Sequence, residues 1–160
     1  MCKIGTMEPF IAQMTPPDVP AVLEISVECG LCLWSAEAYL SELIRNDSIM
    51  LTIVGRKQEI AGFAVGRIFD LGDNNFTAEL TNIGVRLSEQ NQGLGTHLLK
   101  SFLDECRARC VSNVVLEVRA SNVIASRFYG KFAFTPAGIR RGFYSDPFED
   151  ALTMKLHLID

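Results

Sequence analysis

Glu117 interrupts an apolar run, Val114-Val115-Leu116-Glu117-Val118, and is the first residue with the makings of chemistry. A lone carboxylate on an apolar strand is costly to desolvate unless paired, and burial of such a group favours its protonated form. A group of that kind can act as a general base near pH 7. The same position suits an exposed edge-strand carboxylate, or the partner of Arg119 or another cation. Tyr129 follows beside Phe128; a phenol can return a proton to a leaving thiolate, and taken alone it reads as a core tyrosine with a satisfied hydroxyl. Asn122 can hydrogen-bond an amide-bearing ligand, although capping a helix is the simpler role.

A second pattern suits an anion. Gln90-Asn91-Gln92-Gly93-Leu94-Gly95-Thr96 stands between an apolar strand over residues 76–87 and an amphipathic helix running to about Cys110. Glycines let the backbone bend tightly and leave amides uncrowded by Cβ atoms. The first turn of a helix carries unpaired N–H groups and partial positive charge, so the segment forms a socket for phosphate or pyrophosphate. An ordinary close-packed connection has the same look. The segment lacks the Gly-Lys-Ser/Thr of a nucleotide-hydrolase loop and the third glycine and distal acid of a dinucleotide fold.

The remaining reactive residues carry less. His97 and His157 have no metal-ligand neighbours at useful spacing. Cys29 and Cys32 form a lone Cys-x-x-Cys, and Cys106 with Cys110 continues an apolar helix stripe, so thiol packing accounts for them without zinc. No metal site is expected. A net charge of -4 gives no footprint for nucleic acid. No membrane span or signal pattern is visible, and five cysteines without one suggest a reducing cytoplasm.

These residues need a scaffold, and 160 residues with 48% apolar content suffice for a single domain over 1–160. A short strand at 9–14 precedes a helix opened by Pro16-Pro17 and Asp18, whose face is Val19, Val22, Leu23, Ser26 and Val27. Ser35 can cap a second helix reaching about Arg45. Strands at 49–54 and 60–69 lead through a turn at 70–75 to the long strand. After the glycine loop, Leu99, Phe102, Leu103, Cys106 and Cys110 mark a buried helix face. The strand bearing Glu117, a helix with Ile124, Phe128 and Phe132, and strands at 134–137 and 150–158 complete the chain. The order β-α-α-β-β-β-α-β-α-β-β predicts an α/β fold of about seven mostly antiparallel strands and about four helices. The late β-α-β unit adds parallel pairing.

Together these motifs resemble the GNAT acetyltransferase superfamily, and more closely its RimI-like branch of protein N-terminal acetyltransferases. The resemblance rests on the glycine loop, Ala78-Glu79-Leu80, Asn82-Ile83, the seven-residue run from Leu116 through Glu117 to Asn122, and Phe128-Tyr129. Ile139-Arg140-Arg141, Tyr144, Glu149-Asp150-Ala151, Met154 and Trp34-Ser35 extend it. It implies that Glu117 accepts a proton from the incoming amine and that Tyr129 donates one to the coenzyme A thiolate. Glu79 is a second carboxylate to watch. Backbone groups of Ile83, Gly84 and Val85 would pair with the pantetheine arm. Amides of Asn91, Gln92, Gly93, Leu94, Gly95 and Thr96 would hold the pyrophosphate, and Asn122 would bind the amide chain of acetyl-CoA. Trp34 and Tyr144 would line the acceptor site. The implied acceptor is a protein N-terminus, such as the N-terminal alanine of a small-subunit ribosomal protein, with direct transfer in a ternary complex.

Four positions depart from that pattern. Asn91 and Thr96 replace basic residues, Ala133 replaces a glycine and so alters a turn, and the segment at 145–148 is short. The short segment motivates one alternative, an acetyltransferase for a small-molecule amine or lysine side chain; a further alternative, of another class, is a non-catalytic acetyl-CoA-binding module.

Overall fold

The computed structural model describes residues 8–158. The strands are β1 (Phe10–Gln13), β2 (Ser48–Val54), β3 (Ile60–Asp70), β4 (Phe76–Val85), β5 (Val111–Arg119), β6 (Thr135–Ser145) and β7 (Phe148–His157). The α-helices are α1 (Val19–Glu28), α2 (Ala36–Leu43), α3 (Leu94–Ala108) and α4 (Val123–Gly130). The element order is the one expected. The sheet order is β1-β2-β3-β4-β5-β7-β6. Strands β4 and β5, on either side of α3, pair in parallel, while β1/β2, β2/β3, β5/β7 and β6/β7 are antiparallel. The chain divides into two compact units, one of residues up to Arg67 with Asn82–Glu105, the other of Ile68–Thr81 with residues from Cys106 onward.

In the first unit, Met14, Val22, Ile25, Tyr39, Met50 and Phe63 are buried together. The buried face of α1 is Val19, Val22, Ile25 and Ser26, whereas Val27 is exposed. At 100° per residue Val27 lies about 140° around from Val22, and Ile25 takes its place. Ser35 caps α2 as expected, accepting a hydrogen bond from Ala38 N at 3.1 Å. Buried Glu42 is held by Ser48 and by Nε and Nη2 of Arg67. Burial works against its charge, but those hydrogen bonds win and hold its carboxyl below the usual range.

In the second unit, β7 lies between β5 and edge strand β6. Val114, Leu116 and Val118 are buried, which turns Glu117 and Arg119 to the other face of β5. Strand β6 is far longer than the 134–137 expected, because Gly138, Arg140, Arg141 and Gly142 hide any alternation and nearly all of it is exposed. Cys110 is not on the buried stripe of α3; it is exposed, two residues past the helix end, with φ 58°.

The turn at Ala133 is built on a left-handed alanine. Ala133 adopts φ 68°, Phe134 N bonds to Tyr129 O at 3.3 Å, and Ala133 N bonds to Gly130 O at 3.1 Å. This is a Schellman cap with alanine where glycine is favoured. The Phe134 ring packs 5.7 Å from that of Tyr129, supplying the apolar contact that accompanies such a cap.

Candidate active site

Within the first unit, the glycine loop follows a 3-10 turn, Leu87–Glu89. Asn91 has φ 60° and Gly93 φ 84°. Asparagine tolerates the left-handed conformation better than most residues, which explains its presence where a basic residue was expected. His97 N donates to Gly93 O at 3.1 Å, so this glycine stands at the N-cap of α3. The amides of Leu94, Gly95 and Thr96 fall in its first turn, where backbone donors and the helix dipole favour an anion.

The end of β4 leads into this loop. Arg86 N donates to Ala61 O at 2.7 Å, and a Cβ on Gly62 would meet Gly84 O at 2.7 Å. Gly84 and Arg86 therefore face β3, and alternation turns Ile83 and Val85 to the opposite edge of β4. There Val85 O accepts Gln90 Nε2 at 3.0 Å and Cys29 Sγ at 3.2 Å. Burial pushes the Cys29 thiol up.

Trp34 lies in the loop between α1 and α2, with its ring 5.2 Å from that of Tyr39. Asn82, buried on β4, donates to Cys32 O at 3.2 Å. The Tyr39 hydroxyl is 3.3 Å from Ser26 Oγ. Burial raises the Tyr39 phenol against the hydrogen bonds it makes with Ser26 and Asn82.

Within the second unit, Glu117 Oε1 lies 2.6 Å from Arg140 Nη1. The cation reading of Glu117 is thus realised, through Arg140 rather than Arg119. Glu117 stands opposite Thr153 on β7, and Arg140 stands opposite Ala151, so Arg140 reaches across β7. Its guanidinium also stacks 4.6 Å from the Phe143 ring. Glu79 is on β4, opposite Val115, and its charge, after that of Glu117, helps stabilise the Arg140 cation.

Tyr129 is buried among Phe128 and Phe134. Burial first, and the nearby Tyr144 second, push its phenol well above the usual range, so it keeps its proton at neutral pH. Asn122 caps α4, its Oδ1 accepting Ala125 N at 3.1 Å. Tyr144 is half-buried on β6, and Arg119 stacks 4.2 Å from its ring.

Residues 19–134 match the model of the acetyltransferase (GNAT) family. The chain belongs to that family. It is also 33% identical over 148 residues to the [Ribosomal protein bS18]-alanine N-acetyltransferase of Escherichia coli K12, covering 91% of this chain and 95% of that protein. The crystal structure of the ribosomal-protein-S18-alanine N-acetyltransferase from Escherichia coli has a TM-score of 0.82 at 31% identity, with 96% of each chain covered. The fold is shared with Arabidopsis thaliana NAA60 in complex with acetyl-CoA, at a TM-score of 0.83 and 18% identity over 94% of this chain and 99% of that one.

As a GNAT-family acyltransferase the chain carries two residues that sequence reasoning passed over. Arg140 was noted only as part of a motif, and its pairing depends on strand order that local sequence does not reveal. Asn82 sits in a strand where a buried carboxamide among apolar residues was the available signal.

Proposed function

We propose that this chain is an acetyl-CoA-dependent N-acetyltransferase that acetylates the N-terminal α-amine of a protein. The leading acceptor is the N-terminal alanine of a small-subunit ribosomal protein, and the place of action is the cytoplasm. The observation that carries this reading is 33% identity along 91% of the chain to an enzyme named for that reaction, with Glu117 and Tyr129 in environments that suit it.

The chemistry balances without a covalent enzyme intermediate. An α-ammonium cannot attack a thioester, so Glu117 takes its proton, directly or through water. The amine nitrogen forms a bond to the acetyl carbon as the carbon–sulfur bond breaks. Tyr129, still protonated at neutral pH, donates toward the departing thiolate, and the second proton, shed by the nitrogen as it becomes an amide, restores the phenol. Backbone groups of Ile83 and Val85 hold the pantetheine arm, Gly84 between them being turned to β3, and the amides from Asn91 to Thr96 hold the pyrophosphate. Val85 keeps its N–H for that task, since its carbonyl is engaged by Gln90 and Cys29. Capping uses the oxygen of Asn122, so its cofactor contact falls to the amide nitrogen. Trp34 and Tyr144 are the residues assigned to the acceptor.

The test is a panel of Ala-, Ser- and Met-starting peptides with acetyl-CoA, read by mass spectrometry. Acetylation of the Ala-starting peptides, reduced about 100-fold or more by Glu117→Gln, is the expected result. Bound acetyl-CoA with no peptide acetylated sinks the proposal, and an unaffected Glu117→Gln enzyme moves the base to Glu79. A small amine or lysine side chain is the second reading. It is favoured by the tight closure of the β6–β7 hairpin, where Ser145 pairs directly with Phe148. Faster turnover of polyamines than of any peptide would establish it.

A further inference from the structure

Arg119, the last residue of β5, spends its guanidinium on one short stretch of chain. Nη2 donates to Asp146 O and Nη1 to Pro147 O, both at 3.0 Å. Nη1 also lies 3.4 Å from Glu149 Oε2, and the planar group covers the Tyr144 ring at 4.2 Å. Glu149 in turn accepts Ser121 N at 2.6 Å through Oε1, and that bond with the Arg119 charge holds its carboxyl below the usual range.

The stretch needs such a tether. Strand β6 is the edge of the sheet, and its ladder to β7 is broken between Arg140 and Tyr144, where Gly142 takes φ 60°. Pairing resumes only at Tyr144–Glu149 and Ser145–Phe148. A bulge decouples what lies beyond it from the regular ladder below. The direction of the hairpin tip is therefore set by whatever grips the tip itself. Arg119 has the geometry for this, since a planar fork satisfies two successive carbonyls while its face stacks on an aromatic ring; lysine offers only a point charge.

We propose that Arg119 is a positioning residue for acceptor recognition, fixing the Tyr144 ring and the hairpin tip at 144–149. This rests on the reading of Tyr144 as an acceptor-binding residue. Arg119 touches no reacting atom, and its loss acts on the acceptor rather than on acetyl-CoA or on the chemical step.

The experiment compares wild type, Arg119→Lys, Tyr144→Ala and the double variant in the acetyltransferase assay, with amide hydrogen exchange on each protein. Arg119→Lys is expected to raise the acceptor KM about tenfold, as loss of charge-assisted hydrogen bonds implies. The acetyl-CoA Kd and kcat should stay within about twofold, and exchange should speed up at 144–149 alone. In the Tyr144→Ala background the same change should add less than about twofold. Additive KM effects, unchanged exchange at the tip, or equal losses of cofactor binding and kcat overturn the proposal. If Arg119→Lys does not fold, Glu149→Gln removes the carboxylate end of the clamp and should give the same pattern more weakly, about threefold in KM; a Glu149→Gln protein indistinguishable from wild type also overturns it. A wild-type enzyme that acetylates only small amines defeats the protein-acceptor reading by itself. The exchange result then still decides whether Arg119 holds the tip.

Discussion

Arg140 Nη1 sits 2.6 Å from Glu117 Oε1, so the carboxylate assigned to take the proton of the amine already holds a cation. The two partners differ in environment: the Glu117 side chain is 17% exposed and that of Arg140 is 59% exposed. Glu117 is fixed by its strand, whereas Arg140 is at the surface, with the Phe143 ring beside it to stack upon. On the proposed mechanism an acceptor arriving as an ammonium ion takes the place of a guanidinium, and the more exposed partner, Arg140, is the one that yields.

Solvent screens the exposed guanidinium of such a pair, so the displacement costs little and the effect of removing Arg140 should be visible but small. Arg140→Gln is expected to lower the peptide KM by up to about fivefold with kcat little changed. Steady-state kinetics at saturating acetyl-CoA measure both. A large fall in kcat would instead make Arg140 a required member of the catalytic set.

Tyr129 makes a pH-dependent prediction. Burial and Tyr144 raise its phenol above the ordinary value, so its neutral form is favoured by folding. The contribution is fully present below the unfolded tyrosine value of about 10 and is lost only as pH rises through the higher folded one. Tyr129→Phe should lower kcat about 100-fold, and the ratio of wild-type to variant kcat should be flat from about pH 7 to pH 10. A ratio that begins to collapse near pH 8 would mean that another group supplies the proton.

The glycine loop separates strain from space. No atom lies within 4 Å of a Cβ built on Gly93, yet its φ is 84°, so alanine would fit there but be strained by roughly 1–2 kcal/mol. Relaxation of that strain moves the first-turn amides of α3. Gly93→Ala should weaken acetyl-CoA binding about tenfold by calorimetry, with the peptide KM unchanged. Asn91→Gly, which relieves a left-handed residue at φ 60°, should bind at least as tightly as wild type. Tight binding by Gly93→Ala would remove the loop geometry from the account of the cofactor site.

What the sequence disclosed was local. Ser35 and Asn122 were legible as caps because a side chain and an amide three residues on meet within one turn. The order of strands and helices followed from period and punctuation. Partner identity was another matter: Glu117 meets Arg140 across an intervening strand, and that requires the order β5-β7-β6, which alternation along one strand does not encode. The helix face containing Val27 was misphased because a run of apolar residues fits two faces, and burial against Phe63 and Met50 chose the one with Ile25. Strand β6 was hidden because an exposed edge strand has no buried row to repeat.

Ala133 holds a backbone conformation that glycine adopts more readily. Its φ of 68° is needed so that Phe134 N and Ala133 N can close on the carbonyls of Tyr129 and Gly130. A left-handed alanine costs roughly 1–2 kcal/mol, while a glycine there loses about 0.4–1 kcal/mol through a more disordered unfolded chain. The first effect is the larger, so Ala133→Gly should stabilise the protein by about 0.5–1 kcal/mol, raising Tm by about 1–4 °C. Ala137→Gly supplies the contrast, since it lies in strand β6 with no positive φ to relieve; it should destabilise by roughly 0.5–1 kcal/mol. Thermal unfolding of both variants checks the pair. If both lower Tm, the cap at Tyr129 is held by the contact between the Phe134 and Tyr129 rings strongly enough that the alanine carries no usable strain.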